Sequence, residues 1–112
     1  MSTTPWFVYL IRTRKGTLYC GVTTDVCRRF EEHQHSKKGA KYLKGKGPLT
    51  LMWSQQVKSK RDAMQFEYRI KKRLTKTQKE DLIQQDISLY RLFSGLKQPQ
   101  YFLCTRVIYV MY

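Results

Sequence analysis

Four features of the sequence combine residue types and spacings that could support chemistry. Tyr9 and Tyr19 stand on either side of a predicted turn. A hairpin centred near Arg14 would place the two rings nearly opposite each other and on one face. Arg29 and His33 are four residues apart and would be neighbours on a helix surface. Ordinary sheet packing and an exposed helix face would also explain these two pairs, without any chemistry.

The third feature is Glu67, which falls inside an apolar helical stripe beside Ala63 and Ile70. A carboxylate buried in such a stripe without a partner would be costly. Either a nearby Lys or Arg pairs with Glu67, or the carboxylate coordinates a hard cation through oxygen. The sequence leaves both possibilities open.

The fourth feature is a segment rich in lysine and glycine, residues 36–48, called the basic loop below. Glycines let a backbone approach a phosphate closely, and lysines supply positive charge. The alternatives are a solvated, mobile loop or a short helix around residues 40–44. A second basic group follows Glu67 on the same predicted helix. The candidate nucleic-acid-binding residues of both groups are Lys37, Lys38, Lys41, Lys44, Lys46, Arg69, Lys71 and Lys72.

The balance of charges indicates a polyanionic partner. The 112 residues include 22 Lys and Arg against 8 Asp and Glu, a formal net charge of +14. Self-repulsion of this size weakens a compact fold, and nucleic acid is the commonest partner that neutralises it. A basic protein of the ribosome is the alternative, and charge alone does not distinguish binding from cutting.

The cysteines and apolar runs bear on the compartment. Cys20, Cys27 and Cys104 lack metal-ligand spacing and leave an odd thiol, which is typical of a reducing cytoplasm. The first apolar run has no basic segment before it, so we expect no signal peptide. The apolar stretch 101–112 is too short to cross a bilayer. We therefore expect a cytoplasmic protein without membrane contact, and no protein partner can be inferred.

The scaffold for these residues is predicted to be one small α+β domain, α/β in the broad sense, over residues 1–98. A tail of unknown role, residues 99–112, follows it. Aromatic and β-branched runs predict strands at 6–11, 18–22 and 49–53, with Gly16 taking a positive φ in the first turn. We expect a three-stranded antiparallel sheet flanked by helices, in the order β-β-α-β-α-α.

Helix starts are indicated by capping residues. Residues 23–25 offer N-caps for a helix over 26–34. The capping-box pattern Ser59–Asp62 opens the next helix. A similar pattern at Thr77–Glu80 opens another, and an amphipathic run over 88–96 predicts a last one. The buried stripe of the second helix is predicted to be Ala63, Phe66, Ile70 and Leu74.

Taken in order, these motifs resemble the GIY-YIG family of nucleases. Phe7-Val8-Tyr9 and Tyr19-Cys20-Gly21 look like the two halves of the family motif. Arg29 and His33 match a helix that carries Arg and, one turn later, His or Tyr. Glu67 lies where the family has a single metal-binding Glu.

The resemblance is strongest to one branch, the small stand-alone bacterial proteins of the UPF0213 type. It runs from residue 5 to about 96 and is closest at 39–49 and 74–79. Phe7 stands where the family motif has its first Gly, and Val8 and Cys20 replace isoleucines, which are apolar changes that a strand accepts. Family members that act in repair and homing usually carry a late Asn; this chain has no Asn, and Lys79 lies near that place. This departure bears on the strength of catalysis and not on the fold.

The resemblance implies a metal-dependent endonuclease that hydrolyses nucleic-acid phosphodiester bonds, with DNA expected more than RNA. Glu67 would hold one Mg²⁺ or Mn²⁺, and Arg29 would neutralise the phosphate. Tyr9 or Tyr19 would position or deprotonate the attacking water, and His33 would orient a tyrosine or the phosphate, or relay a proton. The alternative is a non-catalytic module of the same fold that binds nucleic acid through its basic residues.

Overall fold

The central strand of the sheet carries the first tyrosine. A computed structural model describes residues 4–35 and 38–94 of the chain. Strand β1, Trp6–Arg12, lies between β2, Leu18–Thr23, and β3, Thr50–Val57, and both neighbours are antiparallel to it. Four successive residues of β1, from Val8 to Ile11, are buried, which shows that both faces of this strand are covered. The predicted three-stranded antiparallel sheet is confirmed.

The register of the hairpin differs from the predicted one. Tyr9 pairs with Gly21 and Tyr19 pairs with Ile11, so the two tyrosines are diagonal neighbours and not directly opposite. They still project from one face, because positions two apart on a strand share a face. Gly16 has the expected positive φ, at 93°.

Strand β3 is longer than predicted, ending at Val57 instead of residue 53. In the structure Ser54 and Gln56 lie on the exposed face of an edge strand, while Trp53 and Val57 are buried at 7% and 5% exposure. The backbone pairs with β1 from Trp53 to Val57, because the pairing does not depend on whether the outward-facing side chains are polar.

Two helices that carry predicted site residues follow the tyrosines in sequence and start where capping residues indicate. Helix α1, Val26–His35, follows Asp25, whose Oδ1 accepts the backbone N–H of Arg28 at 3.0 Å. Helix α2, Lys60–Arg73, follows Ser59, whose Oγ accepts the N–H of Asp62 at 3.1 Å. Both contacts are N-caps. The predicted stripe of α2 is confirmed at three positions, which are Ala63, Phe66 and Ile70.

The basic loop contains one short helical turn, which is the predicted alternative to a mobile loop. A 3₁₀ helix spans Lys41–Leu43, and Leu43 is buried at 2% exposure. Leu43 and Leu49 belong to a core cluster with Tyr9 and Ile11. The described part of the loop is therefore anchored in the core by Leu43, within its lysine run, and by Leu49, directly after the loop.

The chain divides into two compact units, and the second begins at Lys72. Helix α3, Lys76–Gln85, and helix α4, Leu89–Ser94, follow. The order β-β-α-β-α-α is confirmed from β1 to α3, and α4 follows as a further helix inside the predicted run 88–96. Among the residues described, none of the helices is long and apolar enough to cross a membrane.

Two predictions about this second unit are wrong. The capping box is formed by Thr75 and Gln78 and not by Thr77 and Glu80. Starting the helix two residues earlier adds backbone hydrogen bonds, such as Lys79 N–H to the Thr75 carbonyl at 3.0 Å. Leu74 consequently lies outside α2, which ends at Arg73.

Some predictions lie outside the described residues. They concern Lys37, the end of the last helix, the domain boundary at residue 98 and the tail 99–112.

Candidate active site

Three of the predicted site residues bring their rings together in the first unit. The ring centroids of Tyr9 and His33 are 5.9 Å apart, those of Tyr19 and His33 5.6 Å, and those of Tyr9 and Tyr19 6.4 Å. Tyr42 of the basic loop stacks on Tyr19 at 5.8 Å with an interplanar angle of 16°. These four side chains are called the aromatic cluster below.

Hydrogen bonding determines how His33 contacts Tyr9. The backbone N–H of Ala40 donates to His33 Nδ1 at 3.0 Å. Since Nδ1 accepts, the neutral ring carries its proton on Nε2. That proton is donated to Tyr9 Oη, 2.8 Å away. The Tyr9 oxygen therefore receives a hydrogen bond, and its own O–H proton stays available for another acceptor.

The glycine of the second half-motif makes room for the Tyr9 hydroxyl. A Cβ added at Gly21 would collide with Tyr9 Oη and lie 2.5 Å from its Cζ. Tyr9 and Gly21 are register partners, so the ring lies across the strand at a point where only a hydrogen atom fits. The glycine is required here by close approach and not by its backbone angles.

Burial and neighbouring charges shift the pKa values of Tyr9, Tyr19 and His33. Desolvation raises the pKa of Tyr9 strongly, Tyr19 adds to the rise, and hydrogen bonding and charge from Arg29 oppose it. The pKa of Tyr19 is also raised by burial, against a lowering by Lys71. Burial, with Arg29, lowers the pKa of His33. At neutral pH all three groups are uncharged.

Arg29 lies on α1 beside these three groups and, besides Tyr9, hydrogen-bonds with two acceptors. Its Nη1 donates to Glu32 Oε1 at 2.8 Å and to the Lys38 carbonyl at 2.9 Å. Its effects on the pKa values of Tyr9 and His33 place its charge near both rings. Sequence reasoning missed Glu32, although its spacing of three from Arg29 was a usable signal.

Glu67 does not have the isolated burial that the apolar stripe predicted. Its side chain is 20% exposed, and Oε2 lies 3.3 Å from Lys71 Nζ, whose side chain is 46% exposed. Glu67 therefore has the basic partner that was one of its two predicted outcomes. Its charge acts on the second tyrosine, because Glu67 contributes to the raised pKa of Tyr19.

The chemistry of the donors around Glu67 restricts which metal could bind. No group of three or more His, Cys, Asp and Glu side chains suited to a metal occurs among residues 4–35 and 38–94. A transition-metal site built from several protein ligands is thus not present in that part of the chain. A single half-buried carboxylate fits Mg²⁺ or Mn²⁺, because such ions keep most of their waters and need few protein ligands.

The predicted nucleic-acid-binding residues differ in exposure. Lys38, Lys41, Lys44, Lys71 and Lys72 are exposed, while Lys46 and Arg69 are half-buried. Lys46 Nζ lies 4.7 Å from the ring centroid of Tyr42, a cation–π contact. Tyr42, 49% exposed, was missed from the sequence, although an aromatic residue among lysines is a signal for a nucleic-acid contact.

Comparisons with known proteins identify the family of the chain. A model of the GIY-YIG catalytic domain matches residues 5–81. The chain belongs to the GIY-YIG family. That match includes Tyr9, Tyr19, Arg29, His33 and Glu67.

Similar members of the family are proteins of the UPF0213 type. A UPF0213 protein of Citrobacter koseri is 53% identical over 96 residues, which cover 86% of this chain and 94% of that one. The UPF0213 protein YhbQ of Escherichia coli is 52% identical over 97 residues, covering 87% and 95%. The solution structure of the UPF0213 protein BH0048 of Bacillus halodurans shares 37% identity, with a TM-score of 0.48, covering 84% of this chain and 98% of that one.

Proposed function

We propose that this GIY-YIG protein is a metal-dependent endonuclease that hydrolyses phosphodiester bonds of nucleic acid, DNA more than RNA. The observation that carries the proposal is the hydrogen-bonded chain from Ala40 through His33 to Tyr9. It aims a donor at the phenol oxygen, next to the charge of Arg29. If these side chains only packed in a core, neither a defined His33 tautomer nor the nearby charge of Arg29 would be needed.

Tyr9 is the better candidate for the base that takes a proton from the attacking water. A phenol acts as a base only after losing its own proton, and burial opposes that loss. Donation from His33 Nε2 and the charge of Arg29 favour the phenolate. Tyr19 is less buried, and within residues 4–35 and 38–94 no histidine donates a hydrogen bond to its hydroxyl, so we give it the role of positioning water or phosphate.

Arg29 supplies charge where the phosphate would lie. Its hydrogen bonds to Glu32 and Lys38 both use Nη1, and it also hydrogen-bonds with Tyr9. A guanidinium has five N–H groups, so some remain for a ligand. Those groups match the geometry of two phosphate oxygens. They would stabilise the negative charge that develops on the oxygens during in-line attack.

Glu67 is the residue that would hold one Mg²⁺ or Mn²⁺. When bound, such an ion would supply positive charge to the phosphate and to the leaving oxygen. The lysines of the basic loop and the formal charge of +14 would hold the polymer through its phosphates, with affinity that falls as salt rises.

A non-catalytic binding module is the second candidate. It is favoured by the Glu67–Lys71 pair, since a carboxylate neutralised by a lysine needs no metal. It does not account for the Tyr9–His33 hydrogen bond beside Arg29.

The change Glu67→Gln separates the two candidates. It keeps the size of the side chain but removes the charge that a hard cation needs. We expect cleavage of DNA and RNA hairpins in Mg²⁺ or Mn²⁺ to fall by about 10²-fold or more, while hairpin binding persists. The matched control is Glu31→Gln, the same change at a side chain that is 68% exposed. Undiminished, metal-dependent cleavage by Glu67→Gln would refute the proposed role, and absence of cleavage in the parent protein would favour the binding module.

A further inference from the structure

The ion pair of Glu67 involves the carboxylate that the proposed function assigns to the metal. Lys71 Nζ lies 3.3 Å from Glu67 Oε2. The same Nζ lies 5.7 Å from the ring centroid of Tyr19. One ammonium group therefore contacts the candidate metal ligand and a candidate catalytic ring at once.

A simple structural explanation for this pair exists. Glu followed four residues later by Lys is a favourable arrangement on any helix, and such pairs contribute little to stability. Two observations go beyond it. The Glu67 side chain is only 20% exposed, so few directions remain from which a cation can reach its oxygens. The contact with Tyr19, on strand β2, holds the ammonium from outside its own helix.

We propose that Lys71 is a resident cation that competes with the divalent ion for Glu67, and that phosphates of bound nucleic acid draw it away. The proposal rests on the proposed function. It makes the binding of metal and of nucleic acid mutually favourable, because the pair with Glu67 has to be broken only once for both.

The physical basis is competition between like charges for one acceptor. A hydrated divalent ion and an ammonium repel each other at the few ångströms that a shared carboxylate allows. The Lys71 side chain is 46% exposed, and a lysine has a flexible stem with three rotatable donors. It can therefore move from the carboxylate to a phosphate oxygen without a change in the backbone. Reciprocal coupling of the two ligands follows from linkage.

The first test measures Mn²⁺ binding by the paramagnetic resonance signal of the free ion, without nucleic acid. In Lys71→Met the side chain keeps about the same length but loses its charge. We expect it to bind Mn²⁺ about three- to tenfold more tightly than the parent protein. Lys72→Met, which removes the same charge five residues from Glu67 and off its helical face, should change the affinity by less than about twofold. Circular dichroism checks that each variant is folded.

Two outcomes of this test distinguish failure of the inference from failure of the proposed function. If Glu67→Gln loses Mn²⁺ binding but Lys71→Met binds like the parent, the competition is refuted and the metal site stands. If Glu67→Gln binds Mn²⁺ as tightly as the parent, Glu67 is not the ligand, and the inference is overturned together with the metal role in the proposed function.

The second test measures the coupling with a fluorescein-labelled DNA hairpin and Ca²⁺, with gels to confirm that the hairpin remains intact. The measured quantity is the ratio of the hairpin Kd in chelator to that in Ca²⁺. We expect this ratio to be smaller in Lys71→Met than in the parent protein, by a factor of about three or more. This factor follows from the strength expected for the Glu67–Lys71 ion pair. Lys72→Met should keep the ratio of the parent, even if both of its Kd values rise. Equal ratios in the parent and Lys71→Met would overturn the coupling.

Discussion

The aromatic cluster and the charged side chains around it are held in opposite ways. Tyr9 and His33, 2% and 7% exposed, are joined by a hydrogen bond between residues 24 apart in sequence. The charged groups, here called the charged rim, form two ion pairs, one within α1 and one within α2. In each pair the two residues are about one helical turn apart, and their side chains are between 20% and 46% exposed. The members of the charged rim are Arg29, Glu32, Glu67 and Lys71.

The difference separates side chains with a fixed geometry, in the cluster, from side chains that can change partners, in the charged rim. A neutral, buried network keeps its geometry because breaking it would leave polar groups unpaired. Exposed ion pairs contribute little and re-form easily with other partners. The phenol and imidazole are therefore already paired in this structure, and under the proposed function the rim would release its charges to phosphate and metal.

Tyr9→Phe should have the largest effect and tests the buried cluster directly. Loss of the hydroxyl removes the proposed base, and we expect cleavage to fall by about 10²- to 10⁴-fold. It also leaves His33 Nε2–H without its acceptor, at a cost of about 1–3 kcal/mol in stability. Hairpin cleavage and the thermal midpoint should be measured on the same preparation.

Tyr19→Phe and Tyr42→Phe are the comparison variants for this experiment. We expect a smaller loss for Tyr19→Phe and a minor one for Tyr42→Phe, whose side chain is on the surface. A larger loss for Tyr19→Phe than for Tyr9→Phe would make Tyr19 the base.

Gly21→Ala tests whether the cluster is as rigid as its contacts indicate. The added Cβ meets the Tyr9 ring and hydroxyl, and Tyr9 cannot move away without breaking the bond to His33. We expect about 1–3 kcal/mol of destabilisation and a loss of cleavage, because the phenol is displaced. Denaturant unfolding gives the first quantity.

The control for this overpacking is Gly47→Ala. Its Cβ would be 3.7 Å from Gln34 Oε1, an ordinary contact. A Gly21→Ala protein as stable and active as Gly47→Ala would show that the cluster adapts easily.

His33 should make stability depend on pH below neutrality. Its folded-state pKa is lowered, first by burial and then by Arg29. The unfolded chain, with a pKa of about 6.5, therefore binds the proton more readily. This contribution is fully present above about pH 6.5 and is lost as pH falls through the folded pKa. We expect His33→Gln to flatten the fall in thermal midpoint between about pH 7 and pH 5.

The second histidine provides the control for the pH experiment. His35 is 72% exposed at the end of the same helix, so His35→Gln should keep the pH dependence of the parent protein. The same slope in His33→Gln as in the parent would mean that His33 titrates as if exposed.

The smallest effect should come from the charged rim itself. In chelator, we expect a double-mutant cycle of Glu67→Gln and Lys71→Met to give a coupling energy of about 0–1 kcal/mol. Thermal or denaturant unfolding measures it. A coupling of several kcal/mol would show that the rim is as fixed as the cluster, and would remove the distinction between the two regions.

Local features of the fold could be predicted because their partners are near in sequence. Asp25 and Ser59 cap helices through N–H groups three residues ahead, and Gly16 turns the hairpin within its own loop. The apolar stripe of α2 follows from helical spacing. Two overlapping segments, Thr75–Gln78 and Thr77–Glu80, both satisfy the capping-box pattern. The pattern therefore could not predict which one caps α3, and in the structure it is Thr75.

The sequence by itself determined which residues belong to the candidate site: two tyrosines, Arg29, His33 and Glu67 in the order and spacing of the GIY-YIG motif. Only the tertiary structure decided how they act on each other. The pairing of Tyr9 with Gly21 depends on the sheet register, and the His33 tautomer depends on a backbone N–H from the basic loop. Such contacts join different elements of the fold, at separations longer than one helical turn. Their geometry is set by the packing of the sheet, α1 and the loop, and no local spacing encodes it.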